Sequence, residues 1–125
     1  MKNFSDATPI ATSEQFRAAL LAVRQRMTEI QLKMLQAHCR SEEHSSCTDS
    51  LVEEVGSSTA KSSYITFARS IAEVLKYEPG EGAKKMMWLH ALAHGRQDAM
   101  KTTEGQFELI MRPELVETLQ AMKWA

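Results

Sequence analysis

Three features are missing from this sequence: a long apolar run, a secretory signal and an abundance of cysteine. No stretch reaches the roughly 18 apolar residues of a membrane span, so we expect no membrane contact. Residues 1–12 carry one lysine and no apolar run of the length that a secretory signal needs. Cys39 and Cys47 are therefore expected to be free thiols in a cytoplasmic protein.

Motifs of common enzyme classes are missing as well. The sequence has no Gly-rich phosphate loop, no G-x-S-x-G elbow and no H-E-x-x-H. Carboxylates such as Glu42, Glu53 and Glu54 are typical of the solvated faces of short helices, and no acid or base differs from that background. We therefore predict a protein that is not an enzyme and that uses no cofactor.

Charge of one sign is not in excess either. Lysine and arginine number 15 against 16 aspartates and glutamates, which gives a formal net charge of −1. No overall field steers the chain towards nucleic acid, which counts against simple non-specific DNA binding, although a local basic face remains open. The length of 125 residues fits a single domain, which we assign to residues 13–125 with residues 1–12 as a loose tail.

Two capping boxes mark the starts of the first two helices. Thr12 is followed three residues later by Gln15, and Thr28 is followed in the same way by Gln31. Apolar residues recur at helical spacing after each box. We predict a first helix over about 13–26 and a second that begins beside Thr28, the two forming a helical hairpin.

The middle of the chain matches a two-helix DNA-binding unit. A short helix from Thr48 to Val55 is followed by Gly56, which can end it in the left-handed conformation, and by a longer helix from Thr59 to Lys76. In such a unit the second helix lies in the major groove with its N-terminal residues near base edges. The predicted DNA contacts are small polar residues and cations of this helix: Ser58, Thr59, Lys61, Ser62, Ser63 and Arg69. A helical hairpin without a role in DNA binding explains the same pattern.

In the C-terminal third, the pattern allows either a helix or a strand over Lys84 to His94. Its residues favour a helix, but Gln106 to Met111 alternates with a period of two, and a lone strand has no ladder partner. We therefore expect a β-hairpin over about 87–111 with Arg96 to Gly105 as its loop. A closing helix over 113–123 follows, with Pro113 in its first turn. The predicted fold is mainly α with a small β-hairpin, of the winged helix–turn–helix type.

Two groups of potential metal ligands are present. His38, Cys39, His44 and Cys47 are ligand types that zinc favours, but their spacing is not that of a paired motif, and partly buried or loop residues are the other interpretation. His90 and His94 share a face on a helix, whereas on a strand they lie about 13 Å apart, too far for one ion. We predict no metal site at either group.

A dense apolar run lies at the start of the predicted strand. Met86, Met87 and Trp88 form with Leu89 a segment that would face both sides of a strand, and one side would then be exposed. These three residues are the predicted interaction surface for a protein partner or a second copy of the chain. A strand buried on both sides is the alternative.

Several stretches occur in an order that is typical of a known domain: Met27-Thr28, Gln31, Met34-Leu35, His38, the segment Thr48 to Gly56, Phe67-Ala68-Arg69, and Phe107 to Trp124. Together they cover most of the chain, and the sequence resembles a small bacterial helical domain that occurs alone or N-terminal to restriction-type HNH endonucleases. The sequence departs from the domain at Ala68 for glycine, at Ser63-Tyr64 for Asn-Leu, and at Met122-Lys123 for Leu-Gly. No HNH motif is present, so the resemblance implies the non-catalytic module without its nuclease.

Two functions follow as expectations. The first is a DNA-binding accessory module, for double-stranded DNA, in a bacterial or phage defence context of the restriction type. The second is a protein-binding module, such as a phage-encoded inhibitor of a host defence complex, or a homodimer. The neutral net charge and the run around Trp88 favour the second.

Overall fold

A computed structural model describes residues 9–78, 85–95 and 108–125, except for the side chains of Lys85 and Met86. Within these ranges the α-helices are α1 (Ser13–Val23), α2 (Glu29–Arg40), α3 (Thr48–Val55), α4 (Ala60–Leu75) and α5 (Pro113–Ala121). The strands are β1 (Ser45–Ser46), β2 (Ala93–Gly95) and β3 (Leu109–Met111). Three short 3-10 helices lie at Arg24–Arg26, Glu42–His44 and Lys85–Ala91. A mainly helical fold with a small antiparallel sheet is therefore confirmed. The predicted hairpin loop, Arg96–Gly105, and residues 1–8 of the predicted tail lie outside the described residues.

The first two helices begin as the capping boxes predict. The backbone N–H of Gln15 donates to Thr12 Oγ1 at 3.1 Å while Gln15 Oε1 accepts from the N–H of Thr12 at 2.8 Å. Thr28 and Gln31 repeat both bonds at 3.0 and 3.1 Å. The predicted hairpin packing of α1 and α2 is wrong, because α1 packs mainly on α4 and α5, whereas α2 packs on α3 and α4. The 3-10 helix at Arg24–Arg26 separates the two helices.

The longest helix, α4, lies at the centre of the core. Its buried stripe comprises Ala60, Tyr64, Phe67, Ala68, Ile71 and Ala72. α1, α2, α3 and the 3-10 helix at Lys85–Ala91 all pack against it. A helix covered on several sides explains why its apolar stripe is so regular in the sequence.

The segment before β2 differs from both predictions. Lys85–Ala91 is a 3-10 helix, so neither the α-helix nor a strand from residue 87 is correct, and β2 begins only at Ala93. Every residue from Leu89 to Ala93 is buried, most of them by packing on α4. Because burial on consecutive positions has no period of 2 or 3.6, the sequence pattern cannot distinguish these structures.

The sheet contains one strand that the sequence did not reveal. β2 and β3 pair antiparallel, with His94 opposite Ile110, as the predicted hairpin requires. β1 pairs with the other edge of β3, with Ser45 opposite Ile110, so the strand order is β1-β3-β2. Two serines carry no strand pattern, and their pairing depends on β3, which is more than 60 residues away.

Candidate nucleic-acid interface

The connection between α3 and α4 has the geometry that the sequence predicts. Gly56 has a φ of 78°, and its N–H donates to Val52 O at 2.8 Å, which ends α3. A left-handed φ costs little only for glycine. Ser57 Oγ then accepts from the N–H of Thr59 at 3.3 Å, and the N–H of Ala60 donates to Ser57 O at 3.2 Å. These bonds join the two helices through a turn of four residues.

One stripe of α4 faces outward along its whole length. Ser58 in the turn is exposed. The exposed stripe that follows is Thr59, Ser62, Thr66, Arg69 and Glu73. Ser62 Oγ donates to Thr59 O at 3.0 Å, so it bonds back to the backbone at the start of α4 while it remains exposed. The N-terminal half of this stripe is uncharged and made of small hydroxyl side chains.

The other two predicted contact residues flank the stripe. Lys61 and Ser63 are half-buried. The carbonyl of Ser63 accepts from Gln31 Nε2 at 3.1 Å. Gln31 therefore both closes the capping box of α2 and attaches α2 to the start of α4.

Arg69 brings the two predicted sites into contact. Its guanidinium carbon lies 5.5 Å from the ring centroid of Trp88, and its Nε lies 3.6 Å from Glu73 Oε1. Trp88 and Met87 are half-buried and pack against the core. The side chain of Met86 lies outside the described residues. The exposed large apolar side chains in the described ranges are Leu21 and Val74, on α1 and α4.

The charge around α3 is negative. Its exposed face carries Asp49, Glu53 and Glu54 and no cation. From residue 42 to residue 63 the chain has five acidic residues and a single lysine, Lys61. A phosphate backbone close to α3 would therefore be repelled.

His38, the first of the four potential zinc ligands considered above, is part of the core. Its Nε2 lies 2.7 Å from Leu109 O and its Nδ1 lies 2.8 Å from Tyr64 Oη. Because a carbonyl only accepts, Nε2 carries the proton and Nδ1 accepts from the tyrosine. Burial lowers the pKa of His38 to about 4 despite the opposing effect of that carbonyl, and burial raises the pKa of Tyr64. Both ring nitrogens are thus used to join α2 to α4 and β3.

The remaining members of the group point elsewhere. His44 Nδ1 lies 2.6 Å from Cys39 O, and Cys47 Sγ lies 3.3 Å from Ser50 Oγ. Burial raises the pKa of the Cys39 thiol. No group of three or more potential ligands that could hold a metal ion occurs within the described ranges.

The histidines near the sheet also differ from one another. His90 is buried and hydrogen-bonds through Nδ1 to the hydroxyl of Tyr77. His94 lies in β2, with a buried Nδ1 that has no hydrogen-bond partner in the described part of the chain. Arg112, which sequence reasoning did not single out, is almost fully buried and donates from Nε to His90 O at 3.0 Å. The sequence did not reveal the bond between Arg112 and His90, because the two residues lie 22 positions apart and no local pattern connects them.

A scan against protein-family models found no match, and neither did searches of curated proteins and of solved structures. Among the helices of the described ranges, none has both the length and the apolarity needed to cross a bilayer.

Proposed function

We propose that this chain is a DNA-binding module of the winged helix–turn–helix type in which α4 enters the major groove. The order of its elements carries the proposal. A helix, a strand, two helices joined by a tight turn, and two further strands occur in the order α2-β1-α3-α4-β2-β3, with 3-10 helices before β1 and between α4 and β2. The strands form one antiparallel sheet in the order β1-β3-β2, so β2 and β3, which come after the second helix of the unit, would form the wing. The sequence resemblance adds a bacterial or phage defence context to this proposal.

The outward stripe of α4 is suited to close approach. Ser58, Thr59 and Ser62 are short, so the backbone of the first turn can lie near base edges or phosphates without displacement of bulky side chains. Their hydroxyls donate and accept, which allows contact with either base-pair orientation. This half of the stripe would therefore contribute a close fit to the groove and hydrogen bonds to the DNA, but little charge.

Phosphate contact depends on two cations. Arg69 is paired with Glu73 in an exposed ion pair, which contributes at most ~1 kcal/mol, so Arg69 can leave it for a phosphate at small cost. Lys61, near the start of α4, is the other predicted contact cation. Two phosphate contacts predict a slope of about −2 for the logarithm of affinity against the logarithm of salt concentration. A fourfold rise in salt should then weaken binding roughly 12- to 16-fold, much less than for a strongly basic protein.

Fluorescence anisotropy with a random pool of duplex DNA at low and moderate salt tests the proposal. Lys61→Ala with Arg69→Ala should lower the affinity at least tenfold. Arg17→Ala with Arg26→Ala is the matched control, because it removes the same charge from exposed positions outside α3 and α4. The groove assignment is wrong if the two double variants lose affinity equally. The DNA proposal itself fails if the wild-type protein does not bind even at low salt.

The negative charge of α3 favours a second candidate, a protein-binding module such as a phage-encoded inhibitor, or a homodimer. Protein binding through the Trp88 region should survive moderate salt and weaken on Met87→Ala or Trp88→Ala. Light scattering of the purified chain distinguishes a dimer from a monomer. A monomer that binds duplex DNA with the expected salt slope would count against this candidate.

A further inference from the structure

A continuous groove runs along the outer face of α2. It consists of two hollows of about 460 and 530 Å³, both lined by Gln36, so that they meet at that residue. One hollow extends towards Arg24 and the C-terminus of the chain, and the other towards Arg40 and the end of α3. Since α2 has 12 residues, the groove is on the order of 18 Å long, or about three helical turns.

Four cations and two carboxylates, Glu29 and Glu54, line this groove. Arg24 and Lys123 lie at one hollow, and Lys33 and Arg40 at the other. Lys33 pairs with Glu29 at 3.3 Å, whereas the other three form no ion pair within the described ranges. Glu54 is the other carboxylate in the lining. The groove is therefore positive, in contrast to the exposed face of α3.

The floor between the cations is apolar. Met27, Leu32 and Trp124 line the hollow near Arg24, and each is half-buried. Trp124 is held in place by two bonds, one from its N–H to Leu119 O at 2.9 Å and one from Gln36 Nε2 to its carbonyl at 2.8 Å. Both bonds hold the backbone of Trp124, and its half-buried side chain packs against the core, which lowers the cost of ordering this wall when a ligand binds.

We propose that this groove binds an acidic amphipathic helix of a protein partner. Three turns of a helix fit its length, the apolar floor matches an apolar helix face, and the cations match acidic side chains beside that face. A nucleic-acid backbone would satisfy the cations but would leave the apolar floor uncovered. None of the groove cations lies in α4, so the site is separate from the proposed DNA interface.

A phage-displayed library of random 16-residue peptides, selected on the immobilised full chain, tests the proposal. The enriched peptides should combine Asp or Glu with large apolar residues at spacings of three and four. Their affinity, measured with the same peptides carrying fluorescein, should fall at least tenfold for Arg24→Glu with Arg40→Glu. Arg17→Glu with Arg26→Glu makes the same change in net charge at exposed positions outside the groove and should change the affinity less than twofold.

Three results would overturn the proposal. They are the absence of enriched peptides, enrichment of peptides without acidic residues, and equal losses in the two double variants. Leu32→Asp distinguishes binding in the groove from a general effect of net charge. It adds a single charge to the apolar floor and should weaken peptide binding as strongly as the arginine reversals. Displacement of the peptides by an equimolar DNA duplex would assign the groove to nucleic acid instead.

Discussion

Two histidine–tyrosine pairs hold the two ends of α4, and they differ in burial. His38 and Tyr64 have ring centroids 5.9 Å apart at 72°, and His90 and Tyr77 have centroids 5.8 Å apart at the same angle. Tyr64 is fully buried, whereas Tyr77 is half-buried just beyond the end of α4. The same pair of side chains is therefore fully buried at one end of α4 and partly exposed through its tyrosine at the other.

This difference should determine how much each pair contributes to stability. A buried acceptor that loses its donor keeps the full cost of desolvation, whereas a group near the surface can bind water instead. The pair in the core also joins three elements, because His38 bonds to the carbonyl of Leu109 in β3. We expect changes to this pair to loosen α2, α4 and the sheet together.

The largest expected effect is the loss of stability in acid through His38. Its pKa is 6.5 when unfolded and about 4 in the fold, so between these values the unfolded chain binds the extra proton. The stabilisation is complete above pH 6.5 and is lost as the pH falls towards 4. It amounts to about 3 kcal/mol of unfolding free energy, measured by urea denaturation between pH 7 and pH 4.

His38→Gln provides the control for this titration. Glutamine can still donate to the carbonyl of Leu109 but does not titrate, so the variant should be less stable at pH 7 and less sensitive to pH below it. Other titrating groups affect both proteins and cancel in the difference. Parallel pH profiles for the two proteins would contradict the assignment of the acid sensitivity to His38.

The next effect separates the two tyrosines. Tyr64→Phe leaves His38 Nδ1 as a buried acceptor without a donor, so we expect a loss of about 2 kcal/mol in unfolding free energy. Tyr77→Phe should cost less than about 1 kcal/mol, because water can reach this half-buried site. Urea denaturation at pH 7 measures both. Equal losses would mean that burial does not distinguish the pairs.

The features that were predicted correctly from the sequence depend on interactions between residues that are close together in the chain. The capping box of Thr28 and Gln31 and the glycine turn at Gly56 each depend on residues within a few positions of one another, so their structures follow from spacing. The hydrogen bond between His38 and the carbonyl of Leu109 joins residues that are 71 positions apart, and no spacing rule connects them.

The same reasoning explains what was missed in the candidate sites. Arg69 and Trp88 were assigned to different functions because the sequence separates them by 19 residues, yet packing of the 3-10 helix on α4 brings them into contact. The groove along α2 was not predicted at all. It depends on the C-terminal Trp124 lying beside Gln36, 88 residues apart in the chain.

The smallest effect tests how Tyr77 reaches His90. Lys76 ends α4 with a φ of 59°, a conformation that costs a non-glycine residue about 1 kcal/mol, and the next N–H, that of Tyr77, bonds to Ala72 O at 2.9 Å. Lys76→Gly removes that strain without altering the path of the chain, so unfolding free energy should rise by about 0.5–1 kcal/mol, measured by urea denaturation. Lys123→Gly is the matched comparison, since Lys123 has a φ of 60° after α5, far from His90 in sequence. A gain in unfolding free energy for Lys123→Gly together with a loss for Lys76→Gly would mean that the Lys76 side chain itself supports the Tyr77–His90 pair. The backbone strain at Lys76 would then not limit the stability of that pair.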